Sequence, residues 1–259
     1  MLIDTHCHLD FPDFDPDRDT VLENARAAGV EAVINVGASL KGSRDAVNLA
    51  VKYPDVFASV GIHPHDARLS SPEVLSEIEG LLENRKVVAI GEVGLDYYRN
   101  LSEPSVQVEV FRAFIGMALK ARLPLIIHTR QAEKETLEIL GSYGGLKSIG
   151  VVIHCFSGSE DFLKKCLDSG FFVSFTCNAT YTKAQNIKNL VRLVPMERTF
   201  LETDAPFLAP EGKRGKRNEP ANLVELAKEV AWLKNIDFER VCAETTKNAR
   251  KFFRLPAGS

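Results

Sequence analysis

The chain has 259 residues, of which 45% are hydrophobic and 26% are charged, a composition typical of a globular protein. Its net charge of −3 excludes a polycationic protein that coats nucleic acid, but allows local contacts with phosphate groups. We expect a reduced, cytoplasmic protein without membrane association, because the five cysteines form no CxxC pair, no secretory signal is visible, and no apolar run approaches the ~20 residues that span a bilayer.

Short apolar runs rich in β-branched residues alternate with stretches of helical periodicity along the chain. The runs predict strands near 2–6, 31–37, 56–61, 86–91, 123–128, 149–154, 171–176 and 199–204. The stretches between them predict helices near 17–28, 42–52, 71–84, 104–121, 131–142, 159–168 and 183–193, and two more near 220–234 and 238–251. Ser71 before Pro72, and Ser159, are typical of residues that begin a helix.

This alternation predicts an α/β fold in which a parallel sheet closes into a (β/α)8 TIM-type barrel. We expect a single domain at 1–254 and a short C-terminal tail at 255–259. An open, doubly wound sheet is the alternative, but no GxGxxG sequence follows the first strand. Active sites of TIM barrels lie at the C-terminal ends of the strands, so side chains at the predicted strand exits should meet at one end of the barrel.

All six histidines of the chain stand at or just beyond the end of such an apolar run. His6 and His8 flank Cys7, and residues two apart on a strand point to the same face. Two imidazoles on one face can chelate a single ion, while Cys7 should point into the core. An accidental pair at the beginning of a loop is the alternative.

Four further side chains at predicted strand exits are candidate ligands. Glu92 follows an apolar strand, where a buried carboxylate is costly unless a metal or another cation pairs with it. A salt bridge within the loop is the alternative role. His128 and His154 each end an apolar run; either alone would be read as a hydrogen-bonded core histidine, but beside Glu92 they indicate ligands. Asp204 could ligate a metal or accept a proton from bound water. Glu202 competes for these roles, or holds a basic residue in place.

Six candidate ligands exceed the three protein ligands that catalytic zinc usually takes. They suit two divalent ions ~3.5–4 Å apart, with Glu92 as the bridging carboxylate. Nitrogen and oxygen donors permit zinc, manganese or magnesium. The six are His6, His8, Glu92, His128, His154 and Asp204.

Other polar and aromatic side chains at the strand exits are candidates for substrate contact. His63 is predicted to contact the substrate or to protonate a leaving group, whereas His65 is equally explained as a loop histidine bonded to backbone. Arg130, and Arg217 within the basic run 213–217, are predicted to bind phosphate; a solvated charged surface is the alternative. Several aromatic residues could stack on unpaired bases or simply pack the loops. They are Phe11, Tyr97, Tyr98, Phe156, Tyr181 and Phe207.

Seven ordered segments resemble the TatD family of metal-dependent deoxyribonucleases, part of the amidohydrolase-like barrel superfamily. They are DTHCHLD (4–10), VGIHPHD (60–66), IGEVGLDYYR (90–99), IIHTR (126–130), IHCFSG (153–158), LETDAPFL (201–208) and RGKRNEP (214–220). The resemblance implies two divalent metals on the same six ligands, and cleavage of DNA from a 3′ end, preferably as a single strand. Gln131 stands where many relatives have an acid, so no carboxylate acts there.

The sequence therefore predicts a divalent-metal-dependent hydrolase of phosphodiester bonds in DNA, a 3′–5′ exodeoxyribonuclease. Glu92, Asp204 and His63 are its expected catalytic residues, and no obligate protein partner is expected. One alternative keeps the metals and changes the bond, to ester or amide cleavage such as removal of D-amino acids from tRNA. The other is a catalytically silent barrel that only binds nucleic acid or a partner.

Overall fold

In the computed structural model, which describes residues 1–256, eight strands form one parallel sheet in which each strand pairs with its neighbour in the chain. This order confirms the predicted (β/α)8 barrel and excludes the doubly wound alternative, whose strand order is permuted. The strands are β1 (Leu2–Cys7), β2 (Val30–Val36), β3 (Val56–Val60), β4 (Val87–Asp96), β5 (Leu125–Arg130), β6 (Val151–Ile153), β7 (Phe172–Phe175) and β8 (Thr199–Leu201).

Helices separate the strands and cover the outside of the sheet. Side chains of Ser71 and Ser159 accept hydrogen bonds from backbone N–H groups three residues later, which confirms both predicted helix starts. Among the described residues, no helix is both long and apolar enough to cross a membrane. The helices are α1 (Arg18–Ala27), α2 (Leu40–Lys52), α3 (Pro72–Leu81), α4 (Pro104–Ala121), α5 (Glu133–Gly141), α6 (Leu146–Ile149), α7 (Glu160–Asp168), α8 (Gln185–Leu193), α9 (Leu223–Lys234) and α10 (Phe238–Phe253).

Backbone hydrogen bonds join the segment after β8 to β1 and so draw the first and last strands together. The Asp204 N–H donates to the His6 carbonyl at 2.9 Å, and the His8 N–H donates to the Ala205 carbonyl at 2.7 Å. These bonds fix Asp204 beside the two histidines of β1, at the C-terminal end of the barrel.

The opposite end of the barrel interior is filled by apolar side chains. Phe200 of β8 is fully buried, with its ring centroid 5.1 Å from that of Phe252 and 5.6 Å from that of Phe253. These two residues end α10, so the last helix seals the bottom of the barrel. Leu255 belongs to the same cluster, so packing continues past the predicted boundary at 254. Of the predicted tail 255–259, residues 257–259 lie outside the described part of the chain.

Strand β4 continues to Asp96, beyond the predicted end at 91. An irregularity in its pairing with β5 lies between Ile90 and Val93, where β4 carries one extra residue. Gly94, with φ of +143°, runs so close to β5 that a Cβ there would lie 2.0 Å from the His128 carbonyl oxygen. Only glycine fits this approach, which explains why the apolar run stops while the strand does not.

Candidate metal centre and active site

The six predicted ligands lie together at the C-terminal end of the barrel, around the Glu92 carboxylate. Glu92 Oε1 is 2.7 Å from His128 Nδ1 and 3.6 Å from His154 Nε2. Its other oxygen, Oε2, is 3.5 Å from His6 Nε2. The two oxygens of this buried carboxylate therefore face different histidines. His154 lies between the two sides, because its ring stacks on His6 with centroids 3.6 Å apart and its Nε2 lies 3.9 Å from Asp204 Oδ1.

His6, His8 and Asp204 form the group on the Oε2 side. The Nε2 atoms of the two histidines are 3.3 Å apart, and Asp204 Oδ1 lies 3.5 Å from His8 Nε2 and 3.8 Å from His6 Nε2. Cys7 points away into the core, where it is fully buried with its Sγ 3.7 Å from the Ile34 carbonyl. This geometry confirms the prediction that both imidazoles share one face of β1.

Pairing irregularities in two strands aim these side chains into the barrel. The extra residue between Ile90 and Val93 places Glu92 at the bend of β4. A second irregularity lies in β1 between Asp4 and Cys7, beside His6. Such bulges redirect side chains next to active sites, so Glu92 and His6 both owe their position to a local departure from regular strand pairing.

Three of the predicted histidine ligands have an acceptor outside the cluster close to one ring nitrogen. His8 Nδ1 lies 2.7 Å from the Val36 carbonyl, and His154 Nδ1 lies 2.7 Å from Glu202 Oε1. His128 is reversed, since its Nε2 lies 3.1 Å from a carboxylate oxygen of Asp96. In His8 and His128 the acceptor fixes the proton on one nitrogen and directs the lone pair of the other nitrogen toward the cluster, whereas His154 Nδ1 forms an ion pair with Glu202 without a hydrogen bond.

The arrangement fits divalent ions. Donor atoms of the His6, His8 and Asp204 group are 3.3–3.8 Å apart, close to the edge of roughly 3.4 Å expected for a tetrahedron with metal–nitrogen bonds of about 2.0–2.1 Å. Among the described residues, the Nδ1 atoms of His6 and His154 are buried without a hydrogen-bond partner, and both rings turn Nε2 toward Glu92.

Electrostatics in the cluster favour ionised carboxylates. Burial raises the pKa of Glu92, but the charge of His154 and hydrogen bonds from His128 and His6 outweigh it and hold the pKa well below its usual value. Burial lowers the pKa of His8, but Asp204 raises it to about 9. Burial likewise lowers the pKa of His154, while Glu202 and Glu92 raise it to about 10. Buried anions thus require nearby positive charge, which protons or metal ions supply.

Comparison with known proteins places the chain in a family. Residues 3–254 match the model of the TatD-related DNase family. The chain belongs to that family. The "uncharacterized metal-dependent hydrolase" YabD of Bacillus subtilis is 39% identical, over 98% of this chain and 100% of its own. The "3′-5′ ssDNA/RNA exonuclease TatD" of Erwinia tasmaniensis is 36% identical, also over 98% and 100%.

A solved structure shows the same family fold. The crystal structure of YJJV, a TatD homolog from Escherichia coli K12, matches with a TM-score of 0.92 and 28% identity, covering 98% of each chain. The resemblance seen in the sequence segments and the predicted single-domain barrel are both confirmed.

Asp96 is a functional candidate in this TatD-family chain that sequence analysis missed. It is buried, and its Oδ2 lies 2.9 Å from His65 Nε2 and 3.1 Å from His128 Nε2. Its Oδ1 accepts a hydrogen bond from the Arg99 N–H, and Gln107 of α4 pairs with its backbone. Glu92, Gly94 and Asp96 occupy every second position of IGEVGLD, as residues on one face of a strand do. This pattern did not point to Asp96 because the strand was predicted to end at 91.

Glu202 and Asp204 take different positions. Glu202 Oε1 lies 2.7 Å from His154 Nδ1 and accepts from the Cys155 N–H, so it holds a histidine, one of the roles left open for it. Asp204 is the most open of the three central carboxylates, with 15% of its side chain exposed against 6% for Glu92 and 2% for Glu202. Of these three carboxylates, Asp204 therefore combines histidine contacts with the greatest access to solvent.

His63 lies directly beside the cluster, in contact with two of the predicted ligands. Its Nε2 is 3.7 Å from Glu92 Oε1 and 3.3 Å from His128 Nδ1. Its Nδ1 accepts a hydrogen bond from the His65 N–H, so a neutral ring carries its proton on Nε2. Burial lowers the pKa of His63 to about 3, so the ring is neutral at physiological pH. His65 bonds to Asp96 rather than to backbone alone.

The two predicted phosphate-binding arginines differ in their surroundings. The Arg130 guanidinium lies over the ring of Tyr98, 3.8 Å from its centroid, at the exposed end of β5. Arg217 donates to both carboxylate oxygens of Asp17 at 2.7 Å and to the Asp13 carbonyl, so its charge is already paired. Phosphate binding stays a prediction for both residues.

Four of the six aromatic residues at the strand exits show how their surroundings differ. Phe156 is buried against Phe162, and the Tyr97 hydroxyl donates to Glu135, so both pack the loops. Tyr98 and Phe207 are about half exposed.

Proposed function

We propose that this TatD-family protein, a metal-dependent hydrolase, removes nucleotides from the 3′ end of single-stranded DNA by cleaving phosphodiester bonds. The observation that carries the proposal is the position of Glu92, whose two oxygens face different histidines at the open end of the barrel, Oε2 toward His6 and Oε1 toward His128 and His154. Relatives of this length named 3′–5′ ssDNA/RNA exonucleases support the choice of substrate.

Glu92 would hold two ions, one on each side. His6, His8 and Asp204 would complete the side of Oε2, and His128 and His154 the side of Oε1. Bound divalent ions lower the pKa of water and neutralise charge on a phosphate. The dry, preorganised cluster strengthens these effects, because its donors need not reorganise during the reaction.

Asp204 is the proton acceptor in this scheme. Burial raises its pKa, but a hydrogen bond from His8 and the charges of the histidines lower it below its usual value, so the carboxylate is ionised near neutral pH. It is also the central carboxylate with most access to solvent. A water molecule entering from the mouth can therefore lose its proton to Asp204 as it attacks phosphorus.

His63 acts as a hydrogen-bond donor rather than as a cationic acid. With Nδ1 occupied by the His65 N–H, its Nε2–H points toward the cluster and can stabilise charge on a phosphate oxygen or on the departing 3′ oxygen. Arg130 lies at the neighbouring strand exit, two residues after His128, where its charge can orient the phosphate.

The test is digestion of a 5′-labelled single-stranded DNA oligonucleotide with Mg²⁺ or Mn²⁺, against a control with EDTA. We expect a metal-dependent ladder that shortens from the 3′ end, and slower cleavage of the same sequence as a blunt duplex. DNA that stays intact with every metal, while a D-aminoacyl-tRNA is hydrolysed, would overturn the proposal in favour of ester cleavage.

A further inference from the structure

A groove with a volume of about 520 Å³ opens beside the metal-ligand cluster, formed mainly by the loop that follows Asp204. Pro206 and Phe207, the second and third residues after Asp204, form one wall, so the groove begins where the cluster ends. Three cationic side chains line it against one acidic side chain. These four are Arg214, Lys216 and Arg217, and Asp13.

A row of rings connects the groove to the cluster. The Phe11 ring stacks on His8 with centroids 4.9 Å apart and an angle of 28° between planes. Phe207 meets Phe11 edge-on at 5.8 Å, and half of its surface is exposed. Tyr181 stands on another side of the same groove. Because every base has a π face, the half-exposed Phe207 ring and the partly exposed Tyr181 ring can both stack on unpaired bases of any sequence.

The cations of the groove differ in how far they are already paired. Arg217 is tied to Asp17 of the segment that begins α1, so it anchors the loop instead of presenting its charge. The Arg214 side chain is 57% exposed, and its guanidinium lies over the Tyr181 ring, 4.5 Å from the centroid. Its ion pair to a Glu211 oxygen is long, at 3.9 Å. Lys216 is exposed. Arg214 and Lys216 therefore remain able to contact phosphates.

We propose that this groove binds the DNA strand on the 5′ side of the scissile bond, with bases stacked on Phe207 and Tyr181 and phosphates held by Arg214 and Lys216. The inference rests on the proposed function and assigns its substrate-binding surface. It also explains a preference for single strands, since bases paired in a duplex cannot turn their faces to the two rings. Arg217, predicted from sequence as a phosphate ligand, here positions the loop that carries the other two cations.

The experiment compares oligothymidylates of about 2 to about 10 nucleotides with bis(4-nitrophenyl) phosphate, a diester too small to reach the groove. The variants are Phe207→Ala and the double variant Arg214→Ala/Lys216→Ala, each checked for an unchanged unfolding temperature. Trp232→Ala/Arg240→Ala is the matched control, because both residues lie in a separate depression on α9 and α10.

The wild-type kcat/KM should rise with oligonucleotide length. In Phe207→Ala the ratio of kcat/KM for the longest oligonucleotide to that for the small diester should fall about fivefold or more. In the double cation variant, the slope of log Kd against log salt for a phosphorothioate oligonucleotide should decrease in magnitude by about 1.4. The control should keep the wild-type ratio and slope.

An unchanged ratio in Phe207→Ala, together with an unchanged salt slope in the cation variant, would overturn the groove assignment while wild-type cleavage of DNA upholds the nuclease function. A wild-type enzyme that cleaves neither DNA nor the small diester would instead reject the proposed function itself. Equal losses on both substrates would also reject the groove, because they would place these residues in the catalytic step.

Discussion

The interior of this barrel has two halves of opposite character, although the same strands build both. Val152 on β6 and Phe200 on β8 face the lower half, within an apolar cluster sealed by α10. Two residues further along the chain, each directly after the last residue of its strand, His154 and Glu202 are also buried but form part of the polar cluster. Residues two apart in an extended chain point to the same face, so a step of two residues leads from the apolar cluster to the polar one.

The comparison shows how the fold divides its tasks. Apolar burial in the lower half supplies stability, whereas the upper half holds carboxylates and histidines whose desolvation is costly. Such groups are stabilised chiefly by one another and by ions. Substitutions in the two halves should therefore separate loss of stability from loss of activity.

The largest effect is expected from Glu92→Gln in the upper half. The substitution preserves shape but removes the charge that both histidine groups face, so turnover of an oligonucleotide should fall by roughly 10³-fold or more. The unfolding temperature of the ion-free protein should not decrease. Glu138→Gln, on the exposed face of α5, is the matched control and should keep full activity. Near wild-type turnover in Glu92→Gln would remove Glu92 from the centre of the site.

Phe200→Ala in the lower half should show the reverse pattern. It empties a fully buried site among Phe172, Phe252 and Phe253, so the free energy of unfolding should fall by about 3–5 kcal/mol in urea denaturation. Turnover per folded molecule should change little. Ile126→Val, a smaller deletion in the same cluster, should cost about 0.5–1.5 kcal/mol. Lost turnover with unchanged stability would show that the two halves are not separable.

Asp96→Asn tests the connection at the edge of the upper half. Without its charge the side chain holds His128 less firmly, so affinity for Zn²⁺, measured by competition with a chelator, should weaken about 10–100-fold. The visible spectrum of the Co²⁺-loaded protein should shift, because the orientation of a ligand ring changes. Asp161→Asn on exposed α7 serves as control. Wild-type affinity and an unchanged spectrum would leave Asp96 with a structural role only.

Ion binding should release protons, the smallest effect of the series. His8 and His154, with pKa values raised to about 9 and about 10, are protonated near neutral pH in the ion-free protein and must lose a proton to become ligands. The stability that they give the ion-free protein is fully present below their unfolded pKa of about 6.5 and is lost as pH rises through about 9 to 10. Calorimetry of Mn²⁺ binding in buffers of different ionisation enthalpy should report about two protons released. A binding heat independent of buffer would contradict this protonation state.

The pattern of apolar runs allowed most of the fold to be predicted from the sequence. Apolar runs marked the eight strands because parallel strands of a barrel are buried on both faces. Two features escaped it for local reasons. Gly91 and Gly94 interrupt the apolar pattern of β4 while the strand continues to Asp96, and α6, at four residues, is too short to show a helical period.

The candidate site was predictable wherever a side chain stood at a strand exit. The six candidate ligands follow from that rule, and the structure brings their side chains together. Contacts between distant segments were not predictable: the partner of Arg217 is Asp17, 200 residues earlier in the chain. Glu202 and Asp204 were predicted to lie on one side of a strand, but β8 ends at Leu201, and only their different contacts in the structure distinguish them.

The most direct test of a two-ion centre built on Glu92 is the anomalous scattering of crystals soaked in Mn²⁺. Two peaks about 3.5–4 Å apart are expected, one on each side of the Glu92 carboxylate, with His6 and His8 beside one and His128 beside the other. A single peak, or two peaks that do not share Glu92, would contradict the assignment.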